Sequence, residues 1–284
     1  MTEVIAKVFG AVSIVNAIAT GKGATLGIDT FVETKLVKKE GTGIQITSEN
    51  KTISSRLINQ IIKNMIPNKI LEKSRLELDF KSNIPTGYGL KSSSAISSAV
   101  ALSCAKAFGK KISDEEILKL GAKTSIQTKV SITGAYDDAC ACHFGGFNVT
   151  DNLKMKLIHR ELAPKDLEAI IFLPKSRKRG NLKRLKEFNN AFEKSWELAE
   201  SSDYWNAAIL NGIATTSILN SEPKLIMGLM EKGAYCATIS GNGPSIIAIT
   251  DKKHKTKIMK EFSGLEGKIM IANINNKKAF VHEL

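Results

Sequence analysis

Between Pro85 and Ser103 the chain reads PTGYGLKSSSAISSAVALS. Two glycines, a lysine and three consecutive serines lead into an alanine-rich run that carries no charge from Ser92 to Ala105. A glycine-spaced turn opening onto such a run is the anatomy of a helix N-terminus that accepts an anion. Unpaired amides and the positive end of the helix dipole converge there, and glycine lets a phosphate approach the backbone with no Cβ in the way. Serine hydroxyls at the start of the helix can cap it, bind phosphate oxygens or hold Mg²⁺. The residues expected to cradle a phosphate group are Pro85, Gly87, Tyr88, Gly89, Leu90, Lys91, Ser92, Ser93, Ser94 and Ala95. A capped core helix after a glycine turn would account for the same residues without a ligand. The Walker A pattern is absent: Lys22 follows Gly21, but Asn16 and Gly23 stand where a glycine and a hydroxyl are needed. A dinucleotide fingerprint would need glycine or alanine at Ser92 and a following βαβ unit, and neither is evident.

Two other segments carry chemistry. GAYDDACACHFGG, from Gly134 to Gly146, holds the adjacent carboxylates Asp137 and Asp138. Either could polarise an acceptor hydroxyl; the alternative is a helix start capped at Ala139, which explains one aspartate better than two. Near the C-terminus, SGNGPSIIAI runs a glycine turn with Gly241 and Gly243 into an apolar strand. Cys140, Cys142 and His143 lack the second ligand pair of a tetrahedral metal site, and with Cys104 and Cys236 they make only four cysteines, too scattered for a disulfide framework.

Taken in order, PxxxGLxSS at Pro85 to Ser93, the DD segment and SGNGP resemble the three motifs of the GHMP kinases, the superfamily of galactokinase, homoserine kinase and mevalonate kinase. ATGKGATLGID (Ala19 to Asp29) and TGAYDDA narrow the resemblance to the archaeal-type shikimate kinases. The resemblance spans nearly the whole chain, least between Asn152 and Lys224. It implies an α+β, two-lobed fold with a ribosomal-protein-S5-like N-terminal lobe (residues 1–155) and a ferredoxin-like C-terminal lobe (156–284). It also implies ATP and Mg²⁺ as cofactors and a small alcohol, shikimate, as acceptor; homoserine kinase activity is the alternative within the superfamily. The catalytic aspartate falls on Asp138 when counted back from Gly145 and Gly146, and nearer Asp137 when counted forward from Gly134; Asp138 is favoured. A metal-binding glutamate of mevalonate kinase lands on Gln127, so Ser93 and Gln127 are the expected Mg²⁺ contacts. Lys91 is an extra cation where many relatives have glycine. Lys7 is either the lysine that pairs with the aspartate in mevalonate kinase or an ordinary strand lysine. For the acceptor, Thr133, Arg177, Gly241 and Gly243 are the expected contacts, with Lys175, Arg179, Thr128 and Ser131 nearby; a guanidinium holds a carboxylate by two parallel bonds.

Composition fits an enzyme of this kind. At 284 residues and 43% apolar content the chain can bury a large core. No apolar run reaches membrane-spanning length, and Glu3 argues against a signal peptide, so a cytoplasmic protein is expected. The formal charge of +13 raises an RNA-binding role for an S5-like lobe. Aromatics make up only 6% and form no stacking cluster, so no nucleic-acid partner is expected, and the basicity would steer anionic substrates instead.

Periodicity supplies the elements that must hold these residues. Strands are expected at Glu3–Val8, Ala24–Lys35, Arg75–Phe80, Phe147–Thr150, Leu167–Leu173, Ala237–Thr238, Ile246–Thr250 and Lys268–Asn273. Helices are expected at Ser54–Asn64, Ser92–Phe108, Ser113–Lys123 behind a Ser113/Glu116 capping box, Asn181–Glu200, Tyr204–Leu219, Glu222–Lys232 and Lys253–Phe262. The lobe boundary is expected within Asp151–Pro164.

Overall fold

The computed structural model describes residues 1–49, 53–176, 181–219 and 223–284. It opens with β1 (Thr2–Val15) and β2 (Lys22–Glu40), a long antiparallel pair that turns at Gly21, followed by β3 (Gly43–Ser48). After α1 (Ser55–Met65) and the single turn α2 (Asn68–Leu71), β4 (Ser74–Ser82) pairs antiparallel to β2 and parallel to β3. Three helices follow, α3 (Ser92–Ala107), α4 (Asp114–Gln127) and α5 (Tyr136–Phe144), and then the hairpin of β5 (Phe147–Asp151) and β6 (Lys156–Glu161).

The second half runs β7 (Leu167–Pro174), a 3₁₀ segment at Leu182–Phe188, α6 (Asn189–Glu200), α7 (Tyr204–Ile218) and α8 (Pro223–Glu231). It ends with β8 (Cys236–Ile239), β9 (Ile246–Asp251), α9 (Lys255–Glu261), β10 (Gly267–Asn273) and β11 (Phe280–Glu283). Strand order β10-β7-β9-β8, every pair antiparallel, places the four strands fourth-first-third-second, the ferredoxin-like arrangement. The expected α+β class is what the chain adopts.

The larger sheet orders β11-β1-β2-β4-β3, with β5 pairing the first part of β2 and β6 pairing β5. Two of its strands lie past the expected boundary at residue 155: β6, and β11, which returns to pair with β1. Sheet membership therefore crosses that boundary twice. β6 and β11 went unrecognised because they are largely exposed and show little apolar alternation, and β3 because its alternation is confined to Ile44 and Ile46.

α3 is the central helix. Every one of its residues except Ser93 and Lys106 is buried, and its alanines, serines and cysteine allow close packing against α1, α4, α5, β1 and β2. A helix with no polar face has no solvent side to present, so the core encloses it and fixes where its N-terminus points. α4 begins at the Ser113/Glu116 capping box, with both reciprocal bonds formed. The expected helix over Asn181–Glu200 starts instead as the 3₁₀ segment, with Asn181 capping Lys183.

Candidate active site

A cleft of about 340 Å³ opens at the N-terminus of α3. It gathers Pro85, Gly87, Gly89, Leu90, Lys91, Ser92 and Ser93 from the loop after β4. Thr133, Asp137 and Asp138 come from the α4–α5 connection and the start of α5, and Gly241 and Gly243 from the turn between β8 and β9. Three separate sequence segments thus share one cavity. Tyr88, Ser94 and Ala95 do not line it: the Tyr88 carbonyl accepts from Ser245 Oγ at 2.5 Å, and Ser94 and Ala95 are buried in the helix behind the loop.

The loop conformation follows from its residues. Gly87 and Gly89 take φ of 85° and 79°, and Lys91 follows in the left-handed region at φ 65° as the residue before the helix. The first-turn amides of α3 have no intrahelical acceptor, and the residue before the helix supplies no side-chain cap. That leaves unpaired amides at a helix end facing the cleft, the arrangement a bound anion can satisfy. Gly89 has a further reason to be glycine: a Cβ there would lie 2.0 Å from the Ser240 carbonyl oxygen. Its bare Cα is needed for the phosphate loop to pack on the C-terminal turn, where sequence alone suggested only room for phosphate.

Lys91 is the residue whose role changes most. Its side chain is 4% exposed, and Nζ sits 2.8 Å from Asp138 Oδ1 and 2.7 Å from Ser13 Oγ. A Cβ at Gly241 would approach the same ammonium to 3.1 Å. The extra cation of the phosphate loop is therefore the charge partner of the aspartate. Lys7 is not: its ammonium lies over the Phe31 ring, 4.0 Å from the centroid.

The two aspartates sit in different surroundings. Asp138 reaches the cleft and pairs with Lys91. Asp137 is 4% exposed and held by a reciprocal clamp: Asn152 Nδ2 donates to its Oδ1 at 2.7 Å, and its own amide donates to Asn152 Oδ1 at 3.0 Å. Thr25 Oγ1 donates to its carbonyl, and its Oδ2 packs where a Cβ on Gly23 would fall. Burial first, and then the neighbouring Asp138 charge, pushes the Asp137 carboxyl up to about 7; Lys91 and the Asn152 bond pull it back down.

Sequence reasoning missed the end of β1. Ser13 and Asn16 are buried cleft residues that tie β1 to the C-terminal turn, Asn16 Nδ2 donating to the Gly241 carbonyl at 2.8 Å. The available signal was two polar residues inside the apolar run VSIVNAIA. Asn152 was missed for the same reason, its role depending on a contact with Asp137 that no local pattern announces. Gln127 lies elsewhere: it does not line the cleft, and its side-chain oxygen accepts from Asn64 Nδ2. Thr128 likewise bonds back to the Thr124 carbonyl, whereas Ser131 does line the cleft. Arg177 and Arg179 fall outside the described residues, and Lys175 pairs with Glu266. The four cysteines are buried free thiols, with Cys104 and Cys236 each pushed up to about 12 by burial.

Comparison with known proteins bears on this arrangement. Residues 56–146 match the model of the GHMP kinases N terminal domain. The chain is 38% identical to a shikimate kinase of Methanosarcina acetivorans, over 95% of this chain and 94% of the relative. It is 33% identical to a shikimate kinase of Pyrococcus furiosus, over 89% and 93%. In fold it superposes on the mevalonate kinase of Methanococcus jannaschii with a TM-score of 0.77 at 16% identity, covering 96% and 98% of the two chains. A homoserine kinase from Cytophaga hutchinsonii gives 0.71 at 20% identity, covering 98% and 97%. Full-length likeness at this level, with the three motif segments converging on one cleft, makes the chain a member of the GHMP kinase family.

Proposed function

We propose that this kinase transfers the γ-phosphoryl group of ATP to a ring hydroxyl of shikimate, with Lys91 and Asp138 as its catalytic residues. The observation that carries the assignment of residues is the Lys91–Asp138 pair at the mouth of the anion-binding helix. A buried ion pair is a poor stabiliser, because desolvation offsets most of its Coulombic gain, so its place beside the phosphate loop points to chemistry. The acceptor's identity rests on the full-length relatives.

Phosphoryl transfer asks the protein for positioning and charge more than for covalent chemistry. The amides of the first turn of α3 and the Ser92 and Ser93 hydroxyls hold the phosphates. The acceptor hydroxyl lies between Asp138 and the γ-phosphorus. As its oxygen bonds to phosphorus and the bond to the ADP oxygen breaks, Asp138 receives the hydroxyl proton. The Lys91 ammonium holds the Asp138 carboxylate in place and faces the charge on the transferring group. Thr133, Gly241 and Gly243 border the space left for the acceptor.

The donor set fits Mg²⁺. Among the described residues no cluster of three or more acidic, histidine or cysteine ligands exists. Mg²⁺ keeps several waters and leans on substrate phosphates, so one hydroxyl such as Ser93 and a nearby carboxylate suffice. When bound, the ion neutralises charge on the β- and γ-phosphates.

Single-turnover assays of Asp138→Asn and Lys91→Met test the assignment. Each is expected to lower the rate of transfer by about 10² to 10⁴, with nucleotide affinity little changed. Near-normal turnover in both folded variants would remove the pair from the chemistry.

A further inference from the structure

Ser13 belongs to none of the three motif segments, yet its hydroxyl touches two of them. The β1–β2 register shifts between Ser13, which faces Thr25, and Val15, which faces Ala24, leaving Ile14 as an extra residue. A bulge of this kind re-aims the side chains beside it. Ser13 is 1% exposed, and its Oγ accepts from Lys91 Nζ at 2.7 Å and from the Gly241 amide at 2.9 Å. Its own amide donates to Ser240 Oγ, which donates in turn to the Gly89 carbonyl. One hydroxyl oxygen therefore ties the ammonium of the phosphate loop to the backbone of the C-terminal turn.

An ammonium on a four-carbon stem has three donors and much rotamer freedom. Asp138 takes one N–H of Lys91 and Ser13 takes a second. The two acceptors come from different elements, α5 and β1, and together they fix the ammonium where one contact would let it swing. The bare Gly241 leaves the room it occupies.

We infer that Ser13 is a positioning residue for phosphoryl transfer: it holds the Lys91 ammonium at the point where it serves Asp138 and the transferring group together, leaving the third N–H for the phosphoryl oxygens. This rests on the Lys91–Asp138 reading given above. A merely structural Ser13 would matter through the fold, and its loss would add to that of Lys91. A positioning Ser13 acts through Lys91, so its effect disappears once Lys91 is gone.

The test is a double-mutant cycle on the full chain with ATP, Mg²⁺ and shikimate, with thermal melting of each variant. Ser13→Ala removes a hydrogen bond to a charged group and is expected to lower kcat about 10- to 100-fold, with KM for ATP within about threefold. Ser13→Thr keeps the hydroxyl and is expected to restore most of the rate. In a Lys91→Met background, adding Ser13→Ala is expected to change kcat by less than about threefold. Multiplicative losses in the double variant, or a Ser13→Ala protein with unaltered kcat, would overturn the inference while leaving the ion pair intact. Unaltered kcat in Lys91→Met alone would overturn the ion-pair reading, and the Ser13 inference with it.

Discussion

Replacing Asp137 by asparagine should stabilise this protein, and more so as pH rises. The carboxyl is buried against Asp138, and the amide is nearly its isostere. Asn152 Nδ2 can still donate to the remaining oxygen, and Asn152 Oδ1 can still accept from the backbone amide of residue 137. What changes is the charge. Burial and the Asp138 charge raise the folded carboxyl from its ordinary 3.8 to about 7. Between those values the folded chain binds more protons than the unfolded one, so wild-type stability falls as pH rises through the window, by up to ~1.4 kcal/mol per pH unit. Below it Asp137 contributes nothing, and above about 7 the penalty is complete, which caps the gain from Asp137→Asn at about 4 kcal/mol. The attraction of the Lys91 ammonium is already contained in that value, and the buried amide carries a desolvation cost of its own, so the expected gain is about 1–3 kcal/mol at about pH 8. It should shrink toward zero as pH approaches about 4. Urea unfolding of wild type and variant across that range measures it. Destabilisation at pH 8, or a difference that does not vary with pH, would refute the reasoning. Asp137 lies in the cleft wall, 4% exposed and held by Asn152, while Asp138 takes the Lys91 ammonium, so kcat of the variant should stay within about tenfold of wild type.

Gly89→Ala sets a methyl group 2.0 Å from the Ser240 carbonyl at a φ of 79°, so it should cost stability as well as nucleotide affinity, by more than about 2 kcal/mol in chemical denaturation. A stable variant that merely binds ATP less well would return Gly89 to the role of phosphate clearance alone. Asn152→Ala strips the Asp137 carboxyl and amide of their partners in a buried setting and should destabilise by about 2–4 kcal/mol at neutral pH. That loss should be smaller in an Asp137→Asn background, where no buried charge is left unpaired. Burial raises the pKa of all four thiols, so titration with a thiol reagent at about pH 8 should find them unreactive until urea unfolds the chain.

The parts of the site that the sequence announces are those whose function is local. The glycines and serines of Gly87 to Ser93 stand in one short stretch, so their place at the head of a helix could be read directly, and so could the turn at Gly241 and Gly243. Helices α1, α3 and α4 were legible because their apolar spacing or caps lie within a dozen residues. What stayed hidden depends on distance in space. Lys91 reads as a loop cation until the fold brings it to Asp138, 47 positions further along the chain. Ser13 and Asn16 read as interruptions of an apolar strand until a bulge and a turn more than 220 positions away give them partners. β11 is four residues long and largely exposed, and its pairing with β1 joins the two ends of the chain. Gln127 shows the converse: a position counted from a distant relative lands on a residue that the fold turns toward Asn64 instead.

The proposed activity is phosphorylation of shikimate in the cleft at the head of α3 through the Lys91–Asp138 pair. The most direct measurement follows ADP release and phosphorylated product with ATP and Mg²⁺, offering shikimate, homoserine and mevalonate in parallel to wild type and to Asp138→Asn. Shikimate is expected to be preferred in kcat/KM by at least about 100-fold, with that activity lost in the variant. A preference for homoserine or mevalonate, or shikimate phosphorylation that survives Asp138→Asn unchanged, would contradict it.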